Sequence, residues 1–293
     1  MENPLVSIIV ITYNSSKYVL ETLESARAQT YQNIELIISD DGSKDATVEI
    51  CRDWLKENSD RFVHSQLITV EQNTGIPANC NRGVKASKGE WIKLIAGDDV
   101  FTDNAFANFV HASQKTSSLI IQTNAMIFNE NFNEKNLIGK FITRSFPKFF
   151  TLEPAKQNRL LLTHVYLNAP AVFFNRQVFE SLKFDEDFPM IEDYPFWVKA
   201  TMLGLKIDYL EVTTVKYRIH SNSVQTLDKN VYQNFKKRSK TTFAIKNKLY
   251  GERYNFIYRT FDKIRLESLR NKFSAKLVNT TDFFIKKLLL YIA

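Results

Sequence analysis

The stretch "LVSIIVIT", residues 5 to 12, decides the fold. A strand that faces water on one side alternates apolar and polar residues, whereas this run is almost continuously apolar and β-branched. That is the signature of a strand covered on both faces, in a mainly parallel sheet. A polar turn, Tyr13-Asn14-Ser15-Ser16, follows, and Tyr18, Leu20, Leu23 and Ala26 then fall at helical spacing. A second strand, Ile34 to Ser39, runs into Asp40 and Asp41, with Gly42 and Ser43 turning into a helix that carries Val48, Ile50, Cys51, Trp54 and Leu55. Strand Gln66 to Val70, helix Pro77 to Ala86 and strand Trp91 to Ile95 continue the series. Such alternation predicts an α/β architecture, a mostly parallel mixed sheet flanked by helices.

After Phe101 the rhythm changes. The pattern predicts helix Asn104 to Gln114, strand Leu119 to Phe128, helix Glu153 to Thr163, strand Ala171 to Phe174, and helices Gln177 to Leu182 and Tyr194 to Leu203. Strands near Lys206 to Leu210 and Thr214 to Ile219 close a first domain over residues 1–225, and residues 226–293 read as a basic, aromatic-rich helical extension.

At 293 residues, with 44% hydrophobic and 24% charged, the chain can build one large, well-covered core. It has no uncharged apolar run of about 18 residues or more, which argues against a spanning helix. Met1-Glu2-Asn3-Pro4 lacks the basic start of a signal peptide, so the expected location is cytoplasmic. Cys51 and Cys80 lie in helical patterns among apolar residues and are expected to be buried thiols. The net charge of +7 belongs to the tail: from Lys236 onward 15 Lys/Arg stand against 4 Asp/Glu, while the rest of the chain has 24 against 28.

Sheets of this kind bind ligands beyond the carboxyl ends of their strands, and the polar residues collect there: Tyr13, Asp41, Asn73, and the pair Asp98 and Asp99. Two adjacent carboxylates at a strand end suit a hard cation, Mg²⁺ or Mn²⁺, which takes one or two protein carboxylates and completes its shell with phosphate oxygens and water. The same pair also suits a helix cap, where Asp is favoured.

Taken in order, "SIIVITYNSSKYVLETLESA", "ISDDGSKDAT", "NTGIPANCNRGVKASKGEWIKLIAGDD", "IEDYPFWVKATMLG" and "YRIHSNS" resemble family 2 glycosyltransferases of the GT-A (Rossmann-like) fold, over about three quarters of the chain. The resemblance implies an inverting hexosyltransferase, dependent on Mn or Mg. It would move a sugar from a nucleotide donor, a UDP-sugar, to a hydroxyl of a glycan or undecaprenyl-diphosphate-linked acceptor in bacterial cell-surface polysaccharide (O-antigen or capsule) synthesis. It assigns Thr12, Tyr13, Asp41, Asn73, Asn81, Arg82 and Asp98 to the donor. Tyr13 would stack on uracil, Asp41 would accept from its N3–H, and Asp98 would contact ribose or a metal-bound water. Arg82 would reach the diphosphate, the alternative being a solvent-facing helical arginine. Asp99 and His220 become metal ligands, Asp193 the general base and Glu192 the group that orients base or acceptor. Two positions depart from the family pattern, Ala96 where relatives carry a further Asp, and Cys80 where an Arg often precedes the second Asn.

Other readings of the same residues stand beside this one. Glu192 and Asp193 also suit the acidic start of a helix. A nucleotidyltransferase uses a related sheet and carboxylate-held metals, but with a basic Gly-rich loop where this chain has Tyr13-Asn14-Ser15-Ser16. The tail mixes Lys/Arg with Phe and Tyr, the composition of helices lying on an anionic membrane surface. That would place the protein at the inner face of the plasma membrane, or make it a non-enzymatic membrane-surface binder. The same tail equally suits a helical appendage packed on the domain. No nucleic-acid partner is expected, because no recognition motif accompanies the charge.

Overall fold

Val6, Ile8 and Val10 turn to one face of strand β1 (Val6–Thr12) and Ile9 to the other, and all four are fully buried. The continuous apolar run is thereby explained, since helices cover both faces. The computed structural model describes residues 3–141, 147–161, 167–220, 244–246 and 248–251. The strands after β1 are β2 (Ile34–Asp40), β3 (His64–Thr69), β4 (Trp91–Ala96), β5 (Val100–Phe101), β6 (Ile120–Asn129), β7 (Leu137–Phe141), β8 (Val172–Asn175) and β9 (Ile207–Ile219). They form one sheet in the order β3-β2-β1-β4-β8-β6-β9-β5, with β7 added along β6. The first four pair in parallel, β8 runs antiparallel to β4 and β6, and β9 is parallel to β6.

The helices are α1 (Val19–Arg27), α2 (Thr47–Asn58), α3 (Ile76–Ala86), α4 (Ala105–Ser113), α5 (Pro147–Phe150), α6 (Pro154–Leu161), α7 (Val178–Ser181) and α8 (Asp193–Met202). One core layer packs Leu23 of α1, Trp54 of α2 and Phe106 and Phe109 of α4 against the sheet; the other packs Val84 of α3, Leu160 of α6 and Phe196 and Trp197 of α8. Each fully buried Leu or Phe contributes about 1.5–3 kcal/mol, so the two layers carry the fold.

The structure departs from the sequence pattern in three places. The two closing strands are one, β9, because residues inserted around Glu211 and Val212 bulge between the pairs Gln122↔Tyr209 and Asn124↔Thr213 without ending the ladder. β5 is only two residues long and forms because β9 lies beside it, a contact with no local signal. β7, with Gly139 and Lys140, has no apolar alternation to announce it. The extension at 226–293 lies outside the described residues except for 244–246 and 248–251. There Ile245 is buried in the second core layer and Lys248 pairs with Asp185 at 3.3 Å and with Asp187. No helix among the described residues is long and apolar enough to cross a membrane.

Candidate active site at the carboxyl ends of the strands

Parallel register brings the strand ends level, Thr12 opposite Asp40 and Ile11 opposite Ala96. Asp40, fully buried, ties the rim together: Oδ1 accepts from Gly42 N (3.1 Å) and Ser43 N (2.9 Å), and Oδ2 from Thr12 Oγ1 (2.8 Å) and Ser43 Oγ (2.5 Å). The Thr12 hydroxyl is thus committed to Asp40. Asn14, with a left-handed backbone at φ 51, takes Ser43 Oγ on its N–H and Lys44 N on its Oδ1, and this pins the turn that leaves the Tyr13 ring 47% exposed. Gly97 lets the next strand end come equally close, for a Cβ there would stand 2.8 Å from Thr12 Cγ2 and 3.2 Å from Ser15 Cβ.

Asp41, 2% exposed, accepts from Thr74 N (2.9 Å), Thr74 Oγ1 (2.5 Å), Gly75 N (2.8 Å) and Arg82 Nη2 (3.1 Å). Arg82 also reaches Asn79 Oδ1 and Thr74 Oγ1, so its side chain is mostly buried against the strand ends and ends on the Asp41 carboxylate. Asn73 is exposed, and its Oδ1 accepts Gly75 N at 3.0 Å within the turn. Asn81 is different. Its amide donates to Phe184 O and Glu186 Oε1 and accepts from Phe184 N, which makes it an anchor between α3 and the loop before α8. Gly83, two residues on, packs where a Cβ would stand 2.3 Å from Ile9 Cγ2, so it serves helix–strand contact.

Val100 of β5 lies opposite Lys216 of β9, and this pairing sets Asp98 and Asp99 beside Arg218 and His220. Asp98 Oδ2 is 2.9 Å from His220 Nε2. Asp99 points the other way, fully buried, with Oδ1 accepting Arg218 N at 2.8 Å and its backbone carbonyl accepting Thr22 Oγ1 at 2.7 Å. Asp99 Oδ2 is buried with no hydrogen-bond donor among the described residues. Burial, and then the charge of Asp98, push the Asp99 carboxyl well above its usual range. Of the two adjacent carboxylates it is Asp98 that meets His220, because in the turn between β4 and β5 the two side chains point to different partners.

Glu192 and Asp193 open α8, where Asp193 Oδ1 accepts Tyr194 N at 2.6 Å. Pro189 O accepts Ile76 N at 2.9 Å, so the loop leading to this pair rests on the first turn of α3. Burial, and then the charge of Asp193, push Glu192 up to about 8; burial also raises Asp193. Cys80 of α3 records the convergence, its thiol held high first by burial and then by the charges of Glu192 and Asp41. Cys51 and Cys80 are both free and buried.

Strand order, helical cover and a rim of carboxylates define a GT-A glycosyltransferase fold. The chain aligns with TarS of S. aureus in complex with UDP-GlcNAc at a TM-score of 0.60 and 17% identity, over 93% of this chain and 74% of that one. It aligns with the mannosyltransferase PcManGT from Pyrobaculum calidifontis, in complex with GDP-Man and Mn²⁺, at 0.58 and 16%, over 99% and 82%. The family follows from sequence: residues 7–182 match the model of glycosyl transferase family 2, and the chain belongs to that family. It is 27% identical over 243 residues to the glycosyltransferase EpsH of Bacillus subtilis, covering 80% of this chain and 66% of EpsH. It is 27% identical over 224 residues to WfaP of Escherichia coli, a UDP-Glc:alpha-D-GlcNAc-diphosphoundecaprenol beta-1,3-glucosyltransferase, covering 75% and 79%.

Proposed function

We propose that the chain is an inverting, metal-dependent transferase that moves a sugar from a UDP-sugar to a hydroxyl of a lipid-linked or glycan acceptor in cell-surface polysaccharide synthesis. The observation that carries this reading is the 2.9 Å approach of Asp98 Oδ2 and His220 Nε2 at the carboxyl-end rim of the sheet. A carboxylate and an imidazole at that separation fit one divalent ion that keeps further positions for phosphate and water. Asp98 and His220 are therefore the proposed ligands, with Asp99 behind them. When bound, such an ion would offset the negative charge that grows on the departing diphosphate. The acceptor class is drawn from what WfaP is said to act on.

In the proposed reaction Tyr13 stacks on the base, where an aromatic face contributes about 1 kcal/mol beyond burial. Asp41 reads uracil N3–H if one of its present donors gives way, and Arg82, the one long side chain among them, is the donor proposed to shift. Asp193 accepts the proton of the acceptor hydroxyl. The acceptor oxygen forms its bond to the anomeric carbon as the bond to the diphosphate oxygen breaks, and UDP leaves with that electron pair. Attack from the face opposite UDP inverts the linkage. Glu192, largely protonated below about pH 8, donates no charge that would compete with the base.

The test is a panel of UDP- and GDP-sugars with Mn²⁺, scored by thermal stabilisation and slow donor hydrolysis. Selective, metal-dependent stabilisation by UDP-sugars is expected. A preference for GDP-sugars would move the base assignment away from Asp41, and no response to any nucleotide sugar would remove the proposal.

A further inference from the structure

Arg218 stands in β9 two residues before His220, and its side chain is fully buried. Its guanidinium lies between two rings, 4.4 Å from the centre of Tyr18 and 4.0 Å from that of Phe132. Its donors go to three separate parts of the chain: Nε to Asp98 O at 2.7 Å, Nη1 to Glu130 O, and Nη2 to Glu21 Oε2 at 2.6 Å. Its backbone N–H holds Asp99 Oδ1. The surroundings are equally tied. Glu130 keeps a left-handed backbone, φ 60, and its Oε2 accepts the Tyr18 hydroxyl at 3.1 Å, while the Tyr18 ring lies 4.8 Å from the His220 ring. A non-glycine residue in that region persists when its surroundings impose it, and such residues gather at functional sites.

A buried guanidinium carries a desolvation cost that a half-exposed partner such as Glu21 only partly offsets, so core stability alone does not call for a guanidinium here. What a guanidinium does, and neither an apolar chain nor a lysine does, is hold several oxygens in one plane at fixed angles while stacking on rings. The oxygens held here belong to the turn that carries Asp98, to the end of β6 and to α1.

We infer that Arg218 is a positioning residue that fixes the Asp98 carboxylate against His220, so that the two groups stand at ligand separation before any cation binds. The metal half of this inference rests on the role proposed above for that pair; the positioning half is a property of the protein alone. Outer groups that orient ligands typically change metal affinity by about 10- to 100-fold when removed. Arg218, within "YRIHSNS", carries no sign of this role in the sequence, since a lone arginine in a strand gives no sign of burial.

The test uses the full chain, its Arg218→Lys and Glu21→Gln variants, and Mn²⁺ and UDP as probes. In the metal-free protein, ¹⁵N spectra of the histidine rings read whether His220 Nε2–H is bonded to Asp98. With UDP present, a Mn²⁺ titration followed by electron paramagnetic resonance reads metal affinity. Arg218→Lys is expected to weaken Mn²⁺ binding about tenfold or more, to leave UDP affinity at saturating Mn²⁺ within about twofold, and to lose the bonded ring signal. Glu21→Gln, altering one half-exposed partner, should act in the same direction by roughly two- to threefold. A folded Arg218→Lys variant with a lowered Tm but unchanged Mn²⁺ affinity and ring signal would overturn the inference. If Arg218→Lys does not fold, unchanged values in Glu21→Gln overturn it instead. Absence of Mn²⁺ binding by the wild type would remove the proposed metal role. A His220 signal that still follows Arg218 would then support positioning, and one that does not would end it.

Discussion

His220 Nε2 lies 2.9 Å from Asp98 Oδ2, while Asp99, one residue on, is turned away to the backbone N–H of Arg218. The two carboxylates of one turn therefore have different work. A ligand that binds only the native state stabilises it by about 2.7 kcal/mol at 100 times its dissociation constant. Asp98→Ala and His220→Ala are expected to abolish the Mn²⁺-dependent part of the stabilisation by UDP. Asp99→Ala should mainly lower Tm of the ligand-free protein, through a buried backbone N–H left without its acceptor, at about 1–3 kcal/mol. Thermal denaturation with UDP, with and without Mn²⁺, distinguishes them; full metal-dependent stabilisation in Asp98→Ala would return the ligand role to Asp99.

Asp193→Asn separates chemistry from binding. The amide keeps the size of the carboxylate and its bond to Tyr194 N but is not basic enough to take the acceptor proton. Transfer should fall by about 10² or more while donor affinity changes little, since general-base help is used mainly in the transition state. Loss of donor binding together with a lowered Tm would make Asp193 a helix cap, and near-normal transfer would move the search for the base to Glu192 or Asp187.

Much of the fold was legible because β1, β2 and β4 are buried on both faces and their apolar runs say so locally. The short strands β5 and β7 were not: β5 exists only because the distant β9 lies alongside, and β7, though it follows its partner β6 in the chain, has no apolar alternation. The site divides in the same way. That Tyr13, Asp41, Asp98 and Asp99 stand at strand ends follows from chain order, but which atoms their neighbours occupy does not. The hydrogen bonds of the Thr12 hydroxyl to Asp40 and of the Asn81 amide to the backbone of Phe184 carry no sign in the sequence. Asp40 and Arg218 read as ordinary turn and strand residues, and both turned out to hold the rim together.

Glu192 makes stability depend on pH with a definite sign. Its folded value, pushed to about 8, lies above the ordinary 4.5, so the native state binds the proton more tightly than the unfolded chain. Its contribution is fully present below the ordinary value and is lost as pH rises through about 8. Glu192→Gln stays neutral throughout, so the Tm of the variant should gain on the wild type across that window. Asp193→Asn should lower the Glu192 value, because the Asp193 charge is the second cause of its rise. Carboxyl ¹³C shifts followed against pH check this directly, and a Glu192 signal titrating near 4.5 in the wild type would refute it.

Lys93 supplies the opposite sign in a neighbouring window. It is fully buried in β4, with its ammonium donating to Pro170 O and Val172 O and lying 5.0 Å over the Phe173 ring, where β4 and β8 part company. Burial pushes it down to about 7 from 10.5, the charge of Asp99 opposing. Between those values the unfolded chain holds the proton more tightly, so the contribution of Lys93 is present above the ordinary value and is lost as pH falls through about 7. Lys93→Met removes the titration but leaves two buried carbonyls with one donor fewer, at about 1–3 kcal/mol. The variant should therefore be less stable than the wild type at high pH, and the difference should shrink as pH falls from about 10 to about 7. Chemical denaturation at several pH values measures it. A difference that is constant across the window would show that the ammonium keeps its ordinary value, and that water reaches it between the strands.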